Sequence, residues 1–118
     1  MALRRGLLIA FTAVGCGNAI AADITGHYRM EGVDTKGNSY SGSADISMSS
    51  ESNCRIKFSD GFGGICLVSG DQLAVAYDVH GKLGLSLYEI GSDGSLDGTF
   101  IDDYHGGGVG REKLTPAN

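Results

Sequence analysis

Residues 83–100 have the sequence LGLSLYEIGSDGSLDGTF, and this stretch decides the fold class. Apolar residues alternate with other residues on both sides of Ser92-Asp93-Gly94, as in strands with one buried face. The Asp-Gly pair favours the positive φ angles of a tight hairpin turn. The stretch therefore predicts two antiparallel strands joined by a short turn, with Leu83, Leu85 and Leu87 on one face.

The same alternation recurs along the chain at intervals of about ten residues, which is typical of a sandwich or barrel. Short connections favour antiparallel neighbours and hence an all-β, up-and-down meander of about eight strands. Closing this meander into a barrel removes exposed edge strands, and a β-sandwich is the alternative. The predicted strands are 24–33, 40–48, 54–58, 64–69, 73–79, 83–90, 96–100 and 109–114.

The first 21 residues have the three-part pattern of a secretory signal peptide. Arg4 and Arg5 precede about eight apolar or small residues, and Ala19-Ile20-Ala21 provides the small residues before a cut. This pattern predicts a signal peptide over 1–21 and a single β-barrel domain over 22–118. The expected location is the periplasm or the exterior.

A second processing route stays open because Ala13-Val14-Gly15-Cys16 is similar to a bacterial lipobox. Acylation of Cys16 would anchor the product to a membrane. The apolar run of the leader is itself too short to span a bilayer, which needs roughly 20 residues. A membrane contact is therefore expected only if Cys16 is acylated.

The charge balance of the mature chain excludes some partners. Arg4 and Arg5 leave with the leader, so seven basic residues remain against fourteen acidic ones. Nucleic-acid binding relies on Lys and Arg neutralising phosphates, so a nucleic-acid partner is not expected. The remaining 97 residues are enough for one domain with a modest core.

Cys54 and Cys66 form an even pair in an exported chain, which favours a disulfide. A hairpin centred near Asp60 places them directly opposite each other, where the Cα separation suits a disulfide. The closed loop is short, so the bridge is worth about 2–3 kcal/mol at most and holds a hairpin rather than the whole fold. Two buried thiols are the alternative, and zinc lacks a nearby histidine pair.

No catalytic or cofactor signature is found. His105-Gly106-Gly107-Gly108 is similar to the oxyanion loop of lipases, but no Gly-x-Ser-x-Gly elbow accompanies it. Asp103 and His105 share one side of the chain and Asp102 faces the other, so a solvated acidic turn is expected rather than a metal site. No cofactor is expected. An enzyme using His27 or His105 is the least favoured class.

Tyrosine has a rigid apolar body with a polar tip, which suits either a pocket lining or a contact surface. The simpler interpretation places most of these side chains half-buried in the barrel wall. The candidate contact residues are Tyr28, Tyr40, Tyr77, Tyr88 and Tyr104.

Five turn-and-strand segments form a series along the mature chain: GHY at 26–28, GNSYSG at 37–42, LAVAY at 73–77, DGSLDGTF at 93–100 and GREKLT at 110–115. The series resembles a family of small exported bacterial proteins often labelled fibronectin-binding. Phe58 and Phe100 stand where that family usually has Trp. The Gly-x-Tyr opening is also similar in style to lipocalins and avidins, which implies a barrel.

The resemblance implies a non-catalytic, adhesin-like binding module with an extracellular or periplasmic protein partner such as fibronectin. The alternative is a carrier of a small apolar molecule inside the barrel. An eight-stranded barrel holds one small ligand or is filled by side chains. The Leu, Ile, Val and Phe residues of the predicted strands are numerous enough to fill it.

Overall fold

Eight antiparallel strands close into a barrel in the computed structural model, which describes residues 22–103 and 107–117. Each strand pairs with the next in sequence, and the last pairs with the first. This confirms the predicted meander and barrel, and the sandwich alternative is wrong. The proposed signal peptide and Cys16 lie outside the described residues. The strands are β1 (Gly26–Val33), β2 (Ser39–Met48), β3 (Asn53–Phe58), β4 (Gly63–Ser69), β5 (Gln72–Val79), β6 (Lys82–Ile90), β7 (Leu96–Asp102) and β8 (Gly110–Ala117).

Aspartates in the β1–β2 and β6–β7 turns help to determine where these hairpins reverse. The Oδ1 atom of Asp34 accepts hydrogen bonds from the backbone N–H groups of Lys36 and Asn38, at 2.9 Å each. In the β6–β7 turn, Oδ1 of Asp93 accepts from the backbone N–H of Ser95 at 2.9 Å. Such short side-chain bonds favour turns over continued strand. They set the register of the β1–β2 and β6–β7 pairs.

One end of the barrel, here called the closed end, is filled by apolar side chains. Leu73, Leu96 and Leu114 are fully buried there, with no exposed surface. Ile24 precedes β1 and is also buried, and its backbone carbonyl accepts a hydrogen bond from the Tyr28 hydroxyl at 2.6 Å. This end therefore has the solid core that the sequence predicts.

Cys54 and Cys66 are directly opposed on β3 and β4 and form a disulfide, with a Cα–Cα distance of 4.9 Å. Both residues are buried inside the barrel. The predicted hairpin register and the predicted bridge are confirmed.

The outer wall carries an apolar surface that the alternation did not predict. Leu83, Leu85 and Leu87 share one face as expected, but this face is outside, and each side chain is at least 50% exposed. The inward positions of β6 belong to Gly84, Ser86 and Tyr88 instead. A shift of one residue exchanges the two faces of a strand. The alternation is equally regular for either face, so it does not by itself show which face lies inside. The outer apolar face is defined by Ile65, Leu67, Leu83, Leu85, Leu87 and Ile101.

Candidate functional site

The opposite end of the barrel, here called the open end, contains a cavity of about 310 Å³. It is bordered by the chain connections that follow β1 and β3 and by the last residues of β5 and β7. The expectation that apolar side chains fill the whole barrel therefore holds for the closed end only. Besides aromatic and acidic side chains, the lining consists of Met30, Ser41, Ser59, Val79 and Ser86.

A row of interior residues across five neighbouring strands contributes Tyr40 and Glu112 to this lining. Glu112 on β8 lies opposite Gly32 on β1 and opposite Gly98 on β7. Gly32 in turn faces Tyr40 on β2, and Gly98 faces Tyr88 on β6. The Tyr40 hydroxyl donates to Oε1 of Glu112 at 2.6 Å, and the Tyr88 hydroxyl donates to Oε2. Two tyrosines thus reach the same carboxylate from opposite sides, each across a glycine.

The two glycines make this arrangement possible. A Cβ atom at Gly32 would lie 2.5 Å from the Tyr40 ring, and one at Gly98 would lie 2.6 Å from the Tyr88 ring. Each ring occupies the space that a side chain at the glycine would otherwise take. Packing of an aromatic ring over a glycine on the neighbouring strand is a known way to stabilise glycine in β-sheets. The same relation is found for Tyr77 over Gly84.

Glu112 is a buried acidic group, with 8% of its surface exposed. Burial raises its pKa above the ordinary value, and the negative charge of Asp60 acts in the same direction. The hydrogen bonds from Tyr40 and Tyr88 lower the pKa of Glu112 but do not compensate for burial. Burial also raises the pKa of both tyrosines, and the charge of Glu112 adds to that rise.

The raised pKa of Glu112 predicts how stability depends on pH. Protonation of Glu112 favours the folded state below the ordinary pKa of 4.5, and this contribution is lost as pH rises through the higher folded pKa. Glu112→Gln removes the titration, while the amide can still bond both tyrosines. We therefore expect the free energy of unfolding of Glu112→Gln, relative to wild type, to increase as pH rises from 4 towards neutrality. Urea titrations at a series of pH values measure this difference.

Glu89→Gln is the matched control, since Glu89 lies on the exposed face of β6. It removes one carboxylate from the outside of the barrel instead of the inside. A relative stability of Glu112→Gln that falls with rising pH would contradict the prediction. That result would mean that the tyrosine hydrogen bonds outweigh the cost of burying the charge.

Aromatic rings form the walls of the cavity. Tyr40 and Phe100 meet edge to face, with ring centroids 6.3 Å apart. Phe58 and Tyr77 form a second such pair at 6.1 Å. Edge-to-face pairs are a favourable aromatic geometry and hold the rings in defined orientations. Phe62 also lines the cavity. Its ring meets the ring of His80 edge to face, with ring centroids 5.1 Å apart.

Carboxylates are the charged groups of the cavity. Asp34, Asp60 and Asp102 line it together with Glu112. Among the described residues that line it, none is Lys, Arg or His. Oδ1 of Asp60 accepts from the backbone N–H of Phe62 at 3.2 Å, so this carboxylate, like that of Asp34, is held by its own turn. The cavity is therefore apolar in its walls and negative in its charge.

Four of the five tyrosines considered as a contact surface point into the barrel. Tyr28 and Tyr88 are buried, with 4% and 1% of their surface exposed. Tyr40 and Tyr77 are half-buried and line the cavity. Inward positions alternate along each strand, and these four residues occupy them, so they form no outer surface. Tyr104 lies outside the described residues.

The polar residues considered for catalysis or metal binding are not brought together. His27 lies on the outer side of β1, where its Nδ1 atom is 2.7 Å from Oδ1 of the directly opposed Asp45. Asp103 is exposed in a turn, Asp102 faces the cavity, and His105 lies outside the described residues. In the described part of the chain, no group of three His, Cys, Asp or Glu side chains is placed to hold a metal.

Glu112, the central polar residue of the cavity, is not among the candidate residues predicted from the sequence. Its neighbours in sequence gave a signal, because the exposed Arg111 and Lys113 alternate with it in a strand whose other buried residues are Gly110 and Leu114. A carboxylate in the inward register of a strand is unusual, since unpaired Glu is rarely buried. That register depends on how β8 pairs with β1.

Comparisons with known proteins show the fold but no family. No family model matches the chain, and no curated protein matches it. A redesigned β-barrel superposes with a TM-score of 0.73 at 14% identity, over 87% of this chain and 100% of that chain. The structure of EF1p2_mFAP2b bound to DFHBI gives a TM-score of 0.65 at 16% identity, over 86% of this chain and 100% of that chain.

Both identities are too low to show more than a shared barrel fold. Over the residues described, no helix is long and apolar enough to cross a membrane.

Proposed function

We propose that this protein binds one small organic molecule in the open end of its barrel, without catalysing its conversion. The cavity of about 310 Å³ between aromatic walls carries this proposal. Ligand sites are typically concave and mostly apolar, with a few convergent polar groups. Tyr40 and Glu112 both line the cavity and are joined by a hydrogen bond, so they supply such groups at defined positions. The superposable barrel that was solved with DFHBI bound is consistent with this use of the fold.

The role is that of the carrier considered from the sequence, in a more polar form. The lining combines Phe58, Phe62 and Phe100 with acidic groups, so a purely apolar molecule would separate these groups from water without offering them a polar contact. A ligand with an apolar body and a polar end matches the cavity better. Export to the periplasm or beyond is part of the proposal, and the Cys54–Cys66 disulfide supports it because disulfides persist in oxidising compartments.

The neutral naphthalene dye prodan tests whether the cavity accepts a ligand. We expect saturable binding with a blue shift of the emission, because the dye leaves water for an apolar site. Ser86→Leu should weaken this binding at least about tenfold, since Ser86 is buried and lines the cavity. Leu87→Ser is the matched control, because Leu87 is adjacent in sequence and lies on the outer apolar face.

Binding that responds to Leu87→Ser and not to Ser86→Leu would contradict the proposal and place the dye on the outer wall. Amide chemical shifts of the wild-type protein provide a second measurement that needs no variant. Prodan should perturb the amides of Phe58, Phe62 and Tyr77, which line the cavity. Chemical-shift changes confined to the outward-facing residues of β4, β5, β6 and β7 would also contradict the proposal.

Contact with a protein partner is the second candidate, and the outer apolar face favours it. Contiguous exposed apolar surface on a soluble protein often marks an interaction site. Ile65, Leu85 and Ile101 lie in one transverse row, in which Ala76 separates the first two. If fibronectin is the partner, immobilised fibronectin should retain the wild type more strongly than Leu87→Ser. Absent retention at micromolar concentration would reject fibronectin as the partner. Equal retention of the two proteins would reject the outer apolar face as the contact site.

A further inference from the structure

The charge of the cavity restricts the chemistry of the molecule that it takes. Its lining contains four carboxylates, and none of its described residues carries a basic side chain. Charges of one sign in a cleft with low-dielectric walls focus the electric field within it. The whole chain has a formal net charge of −5, so the surroundings do not reverse this field. An anionic ligand would meet repulsion with no cation to pair with.

The positions of the carboxylates divide them between the rim and the interior. Asp34 and Asp60 follow β1 and β3, and each is oriented by backbone N–H groups of its own turn. Asp102 ends β7 and faces the same space. Glu112 lies deeper, where both of its oxygens accept tyrosine hydroxyls. Acidic groups therefore extend from the mouth of the cavity to its interior.

The aromatic walls provide a second, independent feature that suits a cation. Tyr40, Phe58, Phe62, Tyr77 and Phe100 all line the cavity. The face of an aromatic ring is negative, and it attracts ammonium groups within about 6 Å of the ring centroid. Recognition of quaternary ammonium ligands typically uses several rings around one space. The edge-to-face pairs hold Tyr40 with Phe100 and Phe58 with Tyr77 in defined relative orientations.

We infer that the cavity binds an organic cation, namely a small molecule with an apolar or aromatic body and an amine or quaternary ammonium group. This inference rests on the proposed function. The apolar body packs against the rings while the positive group lies among the carboxylates. Neutral molecules of the same size bind more weakly, and anions are rejected. No bond forms or breaks in this recognition.

Benzyltrimethylammonium, benzyl alcohol and phenylacetate provide cationic, neutral and anionic probes with the same aromatic ring. Calorimetric titration of the full chain should give an affinity for the cation at least about tenfold higher than for the alcohol. Phenylacetate should show no binding at the same concentrations. Raising the salt concentration to about 1 M should reduce the preference for the cation, because the screening length falls to roughly 3 Å.

A double variant, Asp34→Asn with Asp60→Asn, tests whether the rim carboxylates determine the preference. Asn keeps an Oδ1 acceptor, so the turn hydrogen bonds can persist. The ratio of cation to neutral affinity should fall at least about threefold. The matched control is Asp71→Asn with Asp97→Asn, since both residues are exposed and neither lines the cavity. It changes the net charge equally and should leave the ratio unchanged.

The outcomes separate this inference from the proposed function. If prodan and benzyl alcohol bind but the cation has no advantage, the cation inference is overturned and the binding function stands. If no probe binds and prodan also fails, both are overturned. A ratio that falls equally in the control double variant would overturn the role of the rim, because net charge alone would then explain the preference.

Discussion

Leu114→Ala is expected to lower the free energy of unfolding by about 2–5 kcal/mol. Leu114 has no exposed surface and lies directly opposite Leu96, which is equally buried. Truncation removes apolar contacts and leaves a void that the closed barrel cannot easily fill, because neighbouring strands hold each other in register. Urea unfolding followed by far-ultraviolet circular dichroism measures the loss. The folded variant should keep the β-sheet spectrum of the wild type.

Leu85→Ala provides the matched control because it makes the same chemical change on the outer apolar face. Leu85 is 51% exposed. Its truncation should change the free energy of unfolding by no more than about 0.5 kcal/mol. A loss as large as that at Leu114 would contradict the placement of Leu85 in solvent. The comparison thus tests which face of each strand is inside.

The strand order and the hairpin registers followed from local signals. Alternation located all eight strands to within about three residues at each end, and the Asp-Gly turn marked the β6–β7 hairpin. The pair Cys54 and Cys66 was found because a turn near Asp60 fixes which residues oppose each other. Hairpin registers depend on residues close in sequence, so local reasoning reaches them.

The inward face of β6 did not follow from local signals. Leu83, Leu85 and Leu87 form the more apolar face by composition, and hydrophobic alternation assigns such a face to the core. The barrel instead places Gly84 and Tyr88 inside. Their glycine and aromatic partners on β5 and β7 explain this choice, since Tyr77 occupies the space over Gly84. The preference for this inward face depends on contacts among three strands, so the sequence of any one strand does not show it.

Half of the interior row that joins Tyr40, Glu112 and Tyr88 could be predicted from the sequence. The turn at 34–38 places Tyr40 opposite Gly32, and the turn at 92–94 places Tyr88 opposite Gly98. These pairs are hairpin registers of the kind that the cysteines confirmed. Glu112 joins the Tyr88–Gly98 pair when β8 pairs with β7, and it joins the Tyr40–Gly32 pair only when β8 also pairs with β1 and the barrel closes. That register is set by packing between the two ends of the chain, which no local turn specifies.

Gly64→Ala is expected to reduce the free energy of unfolding by about 3 kcal/mol, at the upper end of the usual cost of overpacking. A Cβ atom at Gly64 would lie 1.9 Å from the backbone carbonyl oxygen of Ala76 on β5. The contact is with backbone, so no side-chain rotation can relieve it. Strands β4 and β5 must separate locally, which weakens their hydrogen bonds. Hydrogen exchange should accordingly be faster at the amides of these two strands.

Gly42→Ala is the control that isolates this cause, because neither glycine has a positive φ. A Cβ at Gly42 would meet the hydroxyl of Ser59 at 2.8 Å and the terminal methyl of Met30 at 3.0 Å, both ends of side chains that can rotate. Alanine also restricts the unfolded chain, which favours folding by about 0.4–1 kcal/mol at both sites. Gly42→Ala should therefore cost less than about 1 kcal/mol. Equal losses at the two positions would mean that glycine itself, and not the close approach of β5, is required.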